Sequence, residues 1–346
     1  MEMTIGEFVA YFQSKLASLE WYDSREVRSM ASYLLKEIAG VESYKLIVEP
    51  QLELRAEDAE ALVGAADKIS QGVPLQYALG YEYFCGHKFK VAPGVLIPRP
   101  ETEELVNLIF ADNISKPVSS TVPNDSVAES PKLHILDICT GSGCIAWSLA
   151  AGIQGSSVYG CDISEEALAI ARSQEIEGLA SRQQVSLSLF KCDIMDISAP
   201  SLIWREVCGK MAQTSSKRGG TGGFDGFDII VSNPPYVCEE ERAQMRVNVL
   251  EHEPELALFV PDDDPLRFYR QIAWLSGGGF ESGGEKGTEK RIVEKPLLKR
   301  SGMLYFEVNE RFAHEVAATM RDAGFVECQV VCDMFGKERI VKGRRM

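Results

Sequence analysis

The sequence has few histidines, no paired cysteines, no long apolar run and a shortage of basic residues. The four histidines are far apart, and none of the nine cysteines stands in a C-x-x-C pair, so we expect no metal centre and reduced thiols. No apolar stretch approaches the ~20 residues of a membrane span, and the first residues lack the features of a signal or transit peptide. We therefore expect a cytoplasmic protein without membrane association.

Basic residues are outnumbered: 36 Lys and Arg face 51 Asp and Glu, which gives a formal net charge of −15. Binding to a nucleic-acid backbone depends on Lys and Arg that displace counterions from phosphates. The charge therefore counts against nucleic acid as the main partner, and we expect no direct nucleic-acid binding.

The length of 346 residues predicts about two domains. Residues 1–71 carry apolar residues at spacings of three and four, with Gly40 and Gly72 at helix ends, and predict a small all-helical bundle. Such a bundle either adds stability or binds a partner, and the residues leave both open. Residues 72–98 alternate and contain many aromatics, which predicts a β-hairpin linker turning at Cys85-Gly86. Residues 99–346 predict an α/β domain.

One tetrapeptide, Asn233-Pro234-Pro235-Tyr236, follows an apolar run from Phe227 to Ser232 that predicts a buried strand. Two prolines cannot donate backbone hydrogen bonds, so the strand must end there in a stiff, extended conformation. In an open α/β sheet, ligands bind at the carboxyl ends of strands. The tetrapeptide is therefore either a rigid pocket for a planar amide or amine, or an ordinary turn after a core strand.

A glycine turn forms the second strong pattern. Residues 133–138 predict a parallel strand, residues 139–144 a tight turn containing Gly141 and Gly143, and residues 145–150 the start of a helix. Glycines let the backbone approach a ligand, and the helix amino end offers free N–H groups. The third glycine of the dinucleotide fingerprint is absent. The strand before and the helix after the turn still favour a ligand site.

Two acids follow the next predicted strands: Asp162 after residues 157–161, and Asp193 after residues 185–190. An acid at the end of the second strand can accept hydrogen bonds from a ribose diol. Asp is also a common turn and capping residue, and Asp162 could cap the helix predicted at 165–172. We favour ligand roles, because four strand ends then meet along one sheet edge.

The segment Ile97-Pro98-Arg99-Pro100-Glu101-Thr102 is held extended by its prolines, which aim the Arg99 guanidinium. Thr102 is predicted to cap a helix from about Glu103 to Phe110, and this ordinary helix start also explains the nearby acids.

In this order, the glycine turn, Asp162, Asp193 and the N-P-P-Y tetrapeptide resemble a class I S-adenosylmethionine-dependent amino-methyltransferase. Together with the P-R-P-E-T-E segment at 98–103 they more closely resemble the HemK/PrmC-type peptide chain release factor glutamine N5-methyltransferases. The resemblance covers nearly the whole chain. It implies a Rossmann-like seven-stranded domain preceded by the helical bundle and the hairpin linker, with the bundle recognising the substrate protein.

The resemblance also implies a set of roles, with S-adenosyl-L-methionine as cofactor and S-adenosyl-L-homocysteine as product. Catalytic roles fall on Asn233, Pro234 and Tyr236. Cofactor contacts fall on Thr140, Gly141, Ser142, Gly143, Cys144, Asp162, Ile163, Asp193, Ile194 and Asn233. Substrate contacts fall on Arg99, Pro100, Glu101, Thr102, Asn233, Pro234, Pro235 and Tyr236. The implied partners are class 1 peptide chain release factors, methylated at the glutamine of a Gly-Gly-Gln motif by a monomeric enzyme.

Two other functions stay open at this point. A nucleic-acid N6-adenine methyltransferase would use the same tetrapeptide on another planar amine, and a non-catalytic cofactor-binding scaffold would tolerate loss of Asn233. Two departures from the family pattern are insertions at 209–223 and 277–290, whose Gly- and Ser-rich composition predicts mobile loops. A third is Glu307-Val308-Asn309, where many members carry E-I-G, which we expect to change a loop and not the chemistry.

Overall fold

The structure is a computed structural model that describes residues 2–19, 21–113, 133–176, 186–215, 224–278 and 295–346. Its contacts divide the chain into two compact units. The first is Met1–Tyr81 with Ala243–Glu253, and the second is Glu82–Arg242 with Pro254–Met346. Most of the hairpin segment thus belongs to the second unit. The three-part division by role at 71/72 and 98/99 stays a prediction.

In these described ranges, the α-helices are α1 (Ile5–Leu16), α2 (Ser24–Ala39), α3 (Lys45–Val48), α4 (Ala56–Ser70), α5 (Leu75–Leu79), α6 (Pro100–Asn113), α7 (Cys144–Gly152), α8 (Glu165–Arg172), α9 (Ala199–Ser215), α10 (Val247–His252), α11 (Glu255–Leu258), α12 (Arg267–Gly277) and α13 (Ala313–Asp322). The strands are β1 (Tyr81–Phe84), β2 (His87–Lys90), β3 (His134–Ile138), β4 (Ser157–Asp162), β5 (Ser186–Lys191), β6 (Phe227–Ser232), β7 (Val237–Cys238), β8 (Phe259–Val260), β9 (Leu298–Glu307), β10 (Phe325–Cys332) and β11 (Glu338–Arg345). Short 3₁₀ turns cover Glu239–Gln244 and Glu310–Phe312.

The first unit is the predicted helical bundle. Helix α1 begins with a capping box, in which the Thr4 hydroxyl accepts from the Glu7 amide at 3.2 Å and the Glu7 carboxylate accepts from the Thr4 amide at 2.8 Å. Helix α2 ends at Gly40, whose φ of 66° relieves the last turn. The apolar faces of α1, α2 and α4 meet in one core, which includes the fully buried Phe8 and Phe12.

Between the bundle and the larger sheet the chain forms α5 and then the hairpin of β1 and β2. The hairpin turns at Cys85 and Gly86, both with positive φ, as predicted. Residues 73–77 do not belong to it, however. Pro74 starts the short helix α5, and Gly80, with a φ of 83°, ends it. Pro74 is the residue just before the first helical position, where its missing N–H costs no helix hydrogen bond, whereas in a strand it would remove one from the ladder.

The second unit is built on a seven-stranded sheet of order β5-β4-β3-β6-β9-β11-β10. Neighbours from β5 to β9 are parallel, and β11 is antiparallel to both β9 and β10. Helices α7, α8, α9, α12 and α13 lie between successive strands of this sheet along the chain, and α6 precedes β3. The predicted Rossmann-like α/β class and the seven strands are confirmed.

One predicted loop is partly wrong. Helix α9 continues through Gly209 to Ser215, so the first part of the insertion at 209–223 is helical. A single glycine costs a helix only ~1 kcal/mol relative to alanine, and no proline interrupts the run. Residues 216–223 and 279–290 of the two predicted mobile loops lie outside the described residues.

Candidate active site

The parallel strands end level with one another at one edge of the sheet. Ile138 is in register with Cys161 on β4 and with Ser232 on β6, and Ser232 is in register with Phe306 on β9. The residues that follow these positions therefore meet at the same edge. They surround a cavity of ≈ 580 Å³, which is within the ~300–1,000 Å³ typical of small-molecule sites.

Most of the predicted site residues line this cavity: Arg99, Thr102, Thr140, Gly141, Ser142, Cys144, Asp162, Ile163, Asp193, Ile194, Asn233 and Pro235. Five others do not line it: Pro100, Glu101, Gly143, Pro234 and Tyr236. Charged side chains on the lining are the carboxylates of Asp162, Glu166, Asp193 and Glu255 and the guanidinium groups of Arg99 and Arg267. With four acids against two bases, the cavity suits a ligand that carries positive charge.

The turn from β3 to α7 is formed by backbone that only glycine adopts easily. Gly141 has a φ of 54° and Gly143 a φ of 79°. A Cβ on Gly143 would lie 3.1 Å from both the Ala171 Cβ and the Trp147 Cδ1. A Cβ on Gly141 would meet no atom within 4 Å in the part of the chain that the structure describes. Gly143 therefore serves helix packing, whereas Gly141 leaves open space beside the backbone on the cavity side of the turn.

Beneath the turn lies Asp137, which sequence reasoning missed as a functional candidate. Its Oδ2 accepts from the Thr140 hydroxyl at 2.5 Å and from the Ala146 amide at 3.1 Å, while its Oδ1 has no hydrogen-bond partner among the described residues. Complete burial raises the pKa of Asp137 to about 7. The available signal was an acid inside the apolar run Leu136-Asp137-Ile138, because a buried carboxyl group needs a compensating role.

At the end of β4, Asp162 holds the glycine turn in place. Its Oδ2 accepts from the Gly141 amide at 2.8 Å, and its Oδ1 accepts from the Ser164 amide at 2.9 Å. Burial raises the pKa of Asp162. Ser164, and not Asp162, caps α8 by accepting from the Ala167 amide at 3.1 Å. Each carboxylate oxygen retains a lone pair that can accept from a ligand hydroxyl.

After β5, Asp193 is exposed on the cavity lining, and its Oδ1 accepts from the Met195 amide at 2.9 Å. Ile194 next to it is buried, and Ile163 across the sheet edge is 39% exposed. The two isoleucines give the cavity apolar surfaces beside its carboxylates, which is the usual make-up of a site for a flat, polar-edged ring.

The tetrapeptide after β6 is tied to two distant parts of the chain. The Asn233 Nδ2 donates to the Thr102 hydroxyl at 3.2 Å, and the Tyr236 hydroxyl donates to the Glu307 Oε1 at 3.1 Å. The Tyr236 ring packs against the core of the second unit, and burial raises the pKa of its phenol. Helix α6 starts at Pro100, so Thr102 lies inside its first turn and does not cap it as expected.

Thr102 instead points to Glu307, the last residue of β9. The Thr102 hydroxyl donates to the Glu307 Oε2 at 2.7 Å. Glu307 is 1% exposed, and burial raises its pKa. Sequence reasoning missed this residue as part of the site. Its position directly after the apolar run Leu304-Tyr305-Phe306 was the signal, because a strand formed by that run ends at the same sheet edge as Asn233.

Asn309, in the segment that departs from the family pattern, braces the same loop. Its Nδ2 donates to the Tyr236 carbonyl at 3.3 Å and to the Glu241 Oε2 at 2.9 Å. The residue that differs from the family pattern therefore contacts the tetrapeptide directly, so its effect is not confined to its own loop.

Within the described residues, no group of three or more His, Cys, Asp and Glu side chains is placed to hold a metal ion. None of the described helices has the length and apolar character needed to cross a membrane.

Comparison with known proteins identifies similar chains. Residues 9–80 match the PrmC N-terminal domain family. The chain is 36% identical to the release factor glutamine methyltransferase of Bacteroides thetaiotaomicron, across 99% of this chain and 100% of that protein. It is 32% identical to the protein of the same name from Flavobacterium psychrophilum, across 98% and 99%.

Among solved structures, the chain is similar to a release factor-specific protein-(glutamine-N5) methyltransferase from Alicyclobacillus acidocaldarius. The identity is 23% and the TM-score 0.35, across 74% of this chain and 99% of that chain. A TM-score of this size is too low to support a family assignment, which therefore depends on the sequence relatives.

Proposed function

We propose a function from one premise: this chain belongs to the family of release factor glutamine methyltransferases. It transfers a methyl group to the side-chain amide nitrogen, N5, of the glutamine in the Gly-Gly-Gln motif of class 1 peptide chain release factors. The methyl donor is S-adenosyl-L-methionine, and the product is S-adenosyl-L-homocysteine. The alternatives from the sequence, a nucleic-acid adenine methyltransferase and a non-catalytic scaffold, are not favoured.

The cavity fits this cofactor in its charge and shape. The open side of Gly141 leaves room for the amino-acid part, and Asp137 offers an ammonium group a buried Oδ1 that no described residue bonds. Asp162 would accept from the ribose hydroxyls, and Ile163 and Ile194 would flank the adenine. Asp193 adds a carboxylate at the rim. The sulfonium group supplies an electrophilic methyl, and the excess of carboxylates over guanidinium groups favours its positive charge.

The acceptor site is formed by the tetrapeptide. A glutamine amide nitrogen is a weak nucleophile because its lone pair is delocalised into the carbonyl. The Asn233 Oδ1 and the Pro234 carbonyl would accept its two N–H groups and so turn the lone pair toward the methyl. The gain is positioning together with stabilisation of the positive charge that develops on nitrogen, and one amide proton then leaves to solvent to give the neutral methylated amide. Tyr236 would pack on the flat amide, and Pro235 keeps the backbone rigid.

One observation carries the proposal. The Asn233 NH₂ group is already used by Thr102, at 3.2 Å, so the Asn233 oxygen is the atom left for an incoming amide. An acceptor oxygen at the cavity edge matches the two N–H donors of glutamine. The segment from Arg99 to Thr102 would line the mouth through which the glutamine enters.

Several finer features belong to the same proposal. The helical bundle would recognise the release factor, because the residues around the target glutamine offer little besides backbone. The bundle is acidic on average, which favours a basic surface on the partner. We expect a monomer in the cytoplasm that binds neither nucleic acid nor membrane.

The test uses labelled cofactor with three acceptors: a purified release factor, the same factor with its Gly-Gly-Gln glutamine changed to alanine, and DNA. We expect label on the first alone. Label on the alanine variant would refute the target residue, and label on DNA alone would overturn the substrate class.

A matched variant tests the acceptor site. Asn233→Ala should abolish transfer to the release factor while leaving cofactor affinity within about tenfold, or ~1.4 kcal/mol. Calorimetric titration with the cofactor provides the second readout. Full activity of Asn233→Ala would refute the role of the amide oxygen and would favour a scaffold.

A further inference from the structure

A chain of side-chain hydrogen bonds runs from Asn233 through Thr102 to Glu307. The Asn233 Nδ2 lies 3.2 Å from the Thr102 Oγ1, and the Thr102 Oγ1 lies 2.7 Å from the Glu307 Oε2. Thr102 and Glu307 are 3% and 1% exposed, so water has little access to the two inner members. The three residues come from α6, β9 and the end of β6.

The direction of these bonds is set at the Glu307 end. An ionised carboxylate can only accept, whereas a hydroxyl has one proton to donate. Thr102 must therefore give its proton to Glu307 and can offer Asn233 only lone pairs. A side-chain amide donates to such a lone pair through its NH₂ group, since its oxygen can only accept. The Asn233 oxygen must then face away from Thr102, whichever way a side-chain amide would otherwise turn.

The other oxygen of Glu307 is held as well. Its Oε1 accepts from the Tyr236 hydroxyl at 3.1 Å, and the backbone carbonyl of Glu307 accepts from the Tyr269 hydroxyl at 3.2 Å. Asn309 in turn donates to the Tyr236 carbonyl at 3.3 Å. With a donor on each carboxylate oxygen, Glu307 has little freedom to release Thr102 and bond elsewhere.

We propose that Glu307 is a positioning residue that sets, through Thr102, which atom of the Asn233 amide faces the acceptor. This inference rests on the proposed function, because the orientation matters only if the acceptor brings N–H groups. A reversed Asn233 would present its own N–H groups to those of the glutamine. It would repel the substrate amide and leave the nitrogen lone pair without orientation.

The proposal predicts that the donor and acceptor roles along this series of hydrogen bonds can be reversed. In Asn233→Asp, Thr102 has no proton left for a carboxylate at 233, and we expect kcat to fall at least ~100-fold. In the double variant Glu307→Gln with Asn233→Asp, the new amide can donate to Thr102 and Thr102 can donate to the carboxylate. The second oxygen at 233 again faces the acceptor, so kcat should rise at least about tenfold above that of Asn233→Asp.

A third variant separates this relay from simple conservation of charge, which the double variant also preserves. Adding Thr102→Val removes the hydroxyl without removing volume, and we expect the recovery to disappear. Recovery that survives without the hydroxyl, or no recovery in the double variant, would overturn the proposal. Asp112→Asn is the matched control. Asp112 accepts a hydrogen bond of 2.9 Å from the Tyr305 hydroxyl and does not line the cavity. We expect the kcat of this variant to be unchanged.

A direct readout separates this inference from the proposed function. In protein labelled with ¹⁵N-asparagine, the Asn233 side-chain NH₂ should be protected from hydrogen exchange, and Glu307→Gln should remove that protection. Unchanged protection would refute the role of Glu307, whatever the substrate is. If protection is lost as expected while the wild-type chain labels no release factor, the proposed function fails and the polarity inference holds.

Discussion

Asp137 gives the sharpest stability prediction, because the apolar sheet buries its carboxyl group completely under the glycine turn. Burial raises its pKa from the ordinary 3.8 to about 7. The folded chain therefore holds a proton on Asp137 between these pH values that the unfolded chain releases. By linkage, the contribution of Asp137 to the free energy of unfolding is greatest at low pH and declines as pH rises from about 4 to about 7.

The magnitude follows from the two pKa values. The difference between about 7 and 3.8 corresponds to roughly 4 kcal/mol above pH 7. Asp137→Asn removes this titration and keeps an oxygen that can accept from Thr140 and Ala146. Its NH₂ group would take the place of the unpartnered Oδ1, at a cost of about 1–3 kcal/mol. The variant should thus be less stable than wild type near pH 4 and more stable by about 1–3 kcal/mol near pH 8.

The assay is urea unfolding of the cofactor-free protein at a series of pH values from about 4 to about 8, with the difference between variant and wild type plotted against pH. Subtracting wild type removes the titration of all other groups. Thr140→Val is the companion variant. The Thr140 hydroxyl lowers the pKa of Asp137, and the variant lacks this hydroxyl. The decline in the free energy of unfolding should therefore extend to higher pH. A difference between Asp137→Asn and wild type that does not change with pH would refute the reasoning.

Two further predictions concern the same sheet edge. Because burial raises the pKa of Glu307, this residue should be protonated at a higher pH than an exposed glutamate, and kcat should fall as the pH is lowered. Glu307→Gln should remove this acidic fall in kcat. A fall that persists in the variant would assign it to another group. The groups that face Glu307 are Thr102, Glu101, Tyr236, Tyr269 and Arg339. A Cβ on Gly160 would lie 2.6 Å from the Leu189 Cδ2, so Gly160→Ala should lower the free energy of unfolding by about 1–3 kcal/mol in a thermal melt; an unchanged melting temperature would contradict this.

Local patterns were enough to predict much of the fold. The run from Phe227 to Ser232 is a strand with those bounds, because two prolines stop the ladder and leave no ambiguity about its end. The helix at Glu165–Arg172 likewise has the predicted bounds, with Ser164 in the capping position. In both places the chemistry of neighbouring residues decides the structure, so a reader of the sequence has all the information needed.

The candidate site was predicted less completely, because its bonds join distant residues. Thr102 is 205 positions from Glu307, and that pairing exists only once α6 packs against β9. Read locally, Thr102 was an ordinary helix cap, and the segment at Asn309 was a loop change. Asp137 was not predicted as a site residue, because its apolar neighbours indicate a buried strand whichever residue stands between them. Patterns of spacing identify strand ends, but they do not say which side chains meet there.

The first unit has a consequence for how the chain can be divided. It is made from two separate stretches, since Ala243–Glu253 joins the bundle after the tetrapeptide has been passed. Arg246 pairs with Glu26 in that unit, and the Asn248 amide donates to the Tyr22 hydroxyl at 3.4 Å. A deletion of residues 1–81 would therefore leave the segment 243–253 without the residues it packs against. A catalytic fragment needs two cuts and a new connection, and the order in which the chain is synthesised leaves the bundle incomplete until residue 253 has been made.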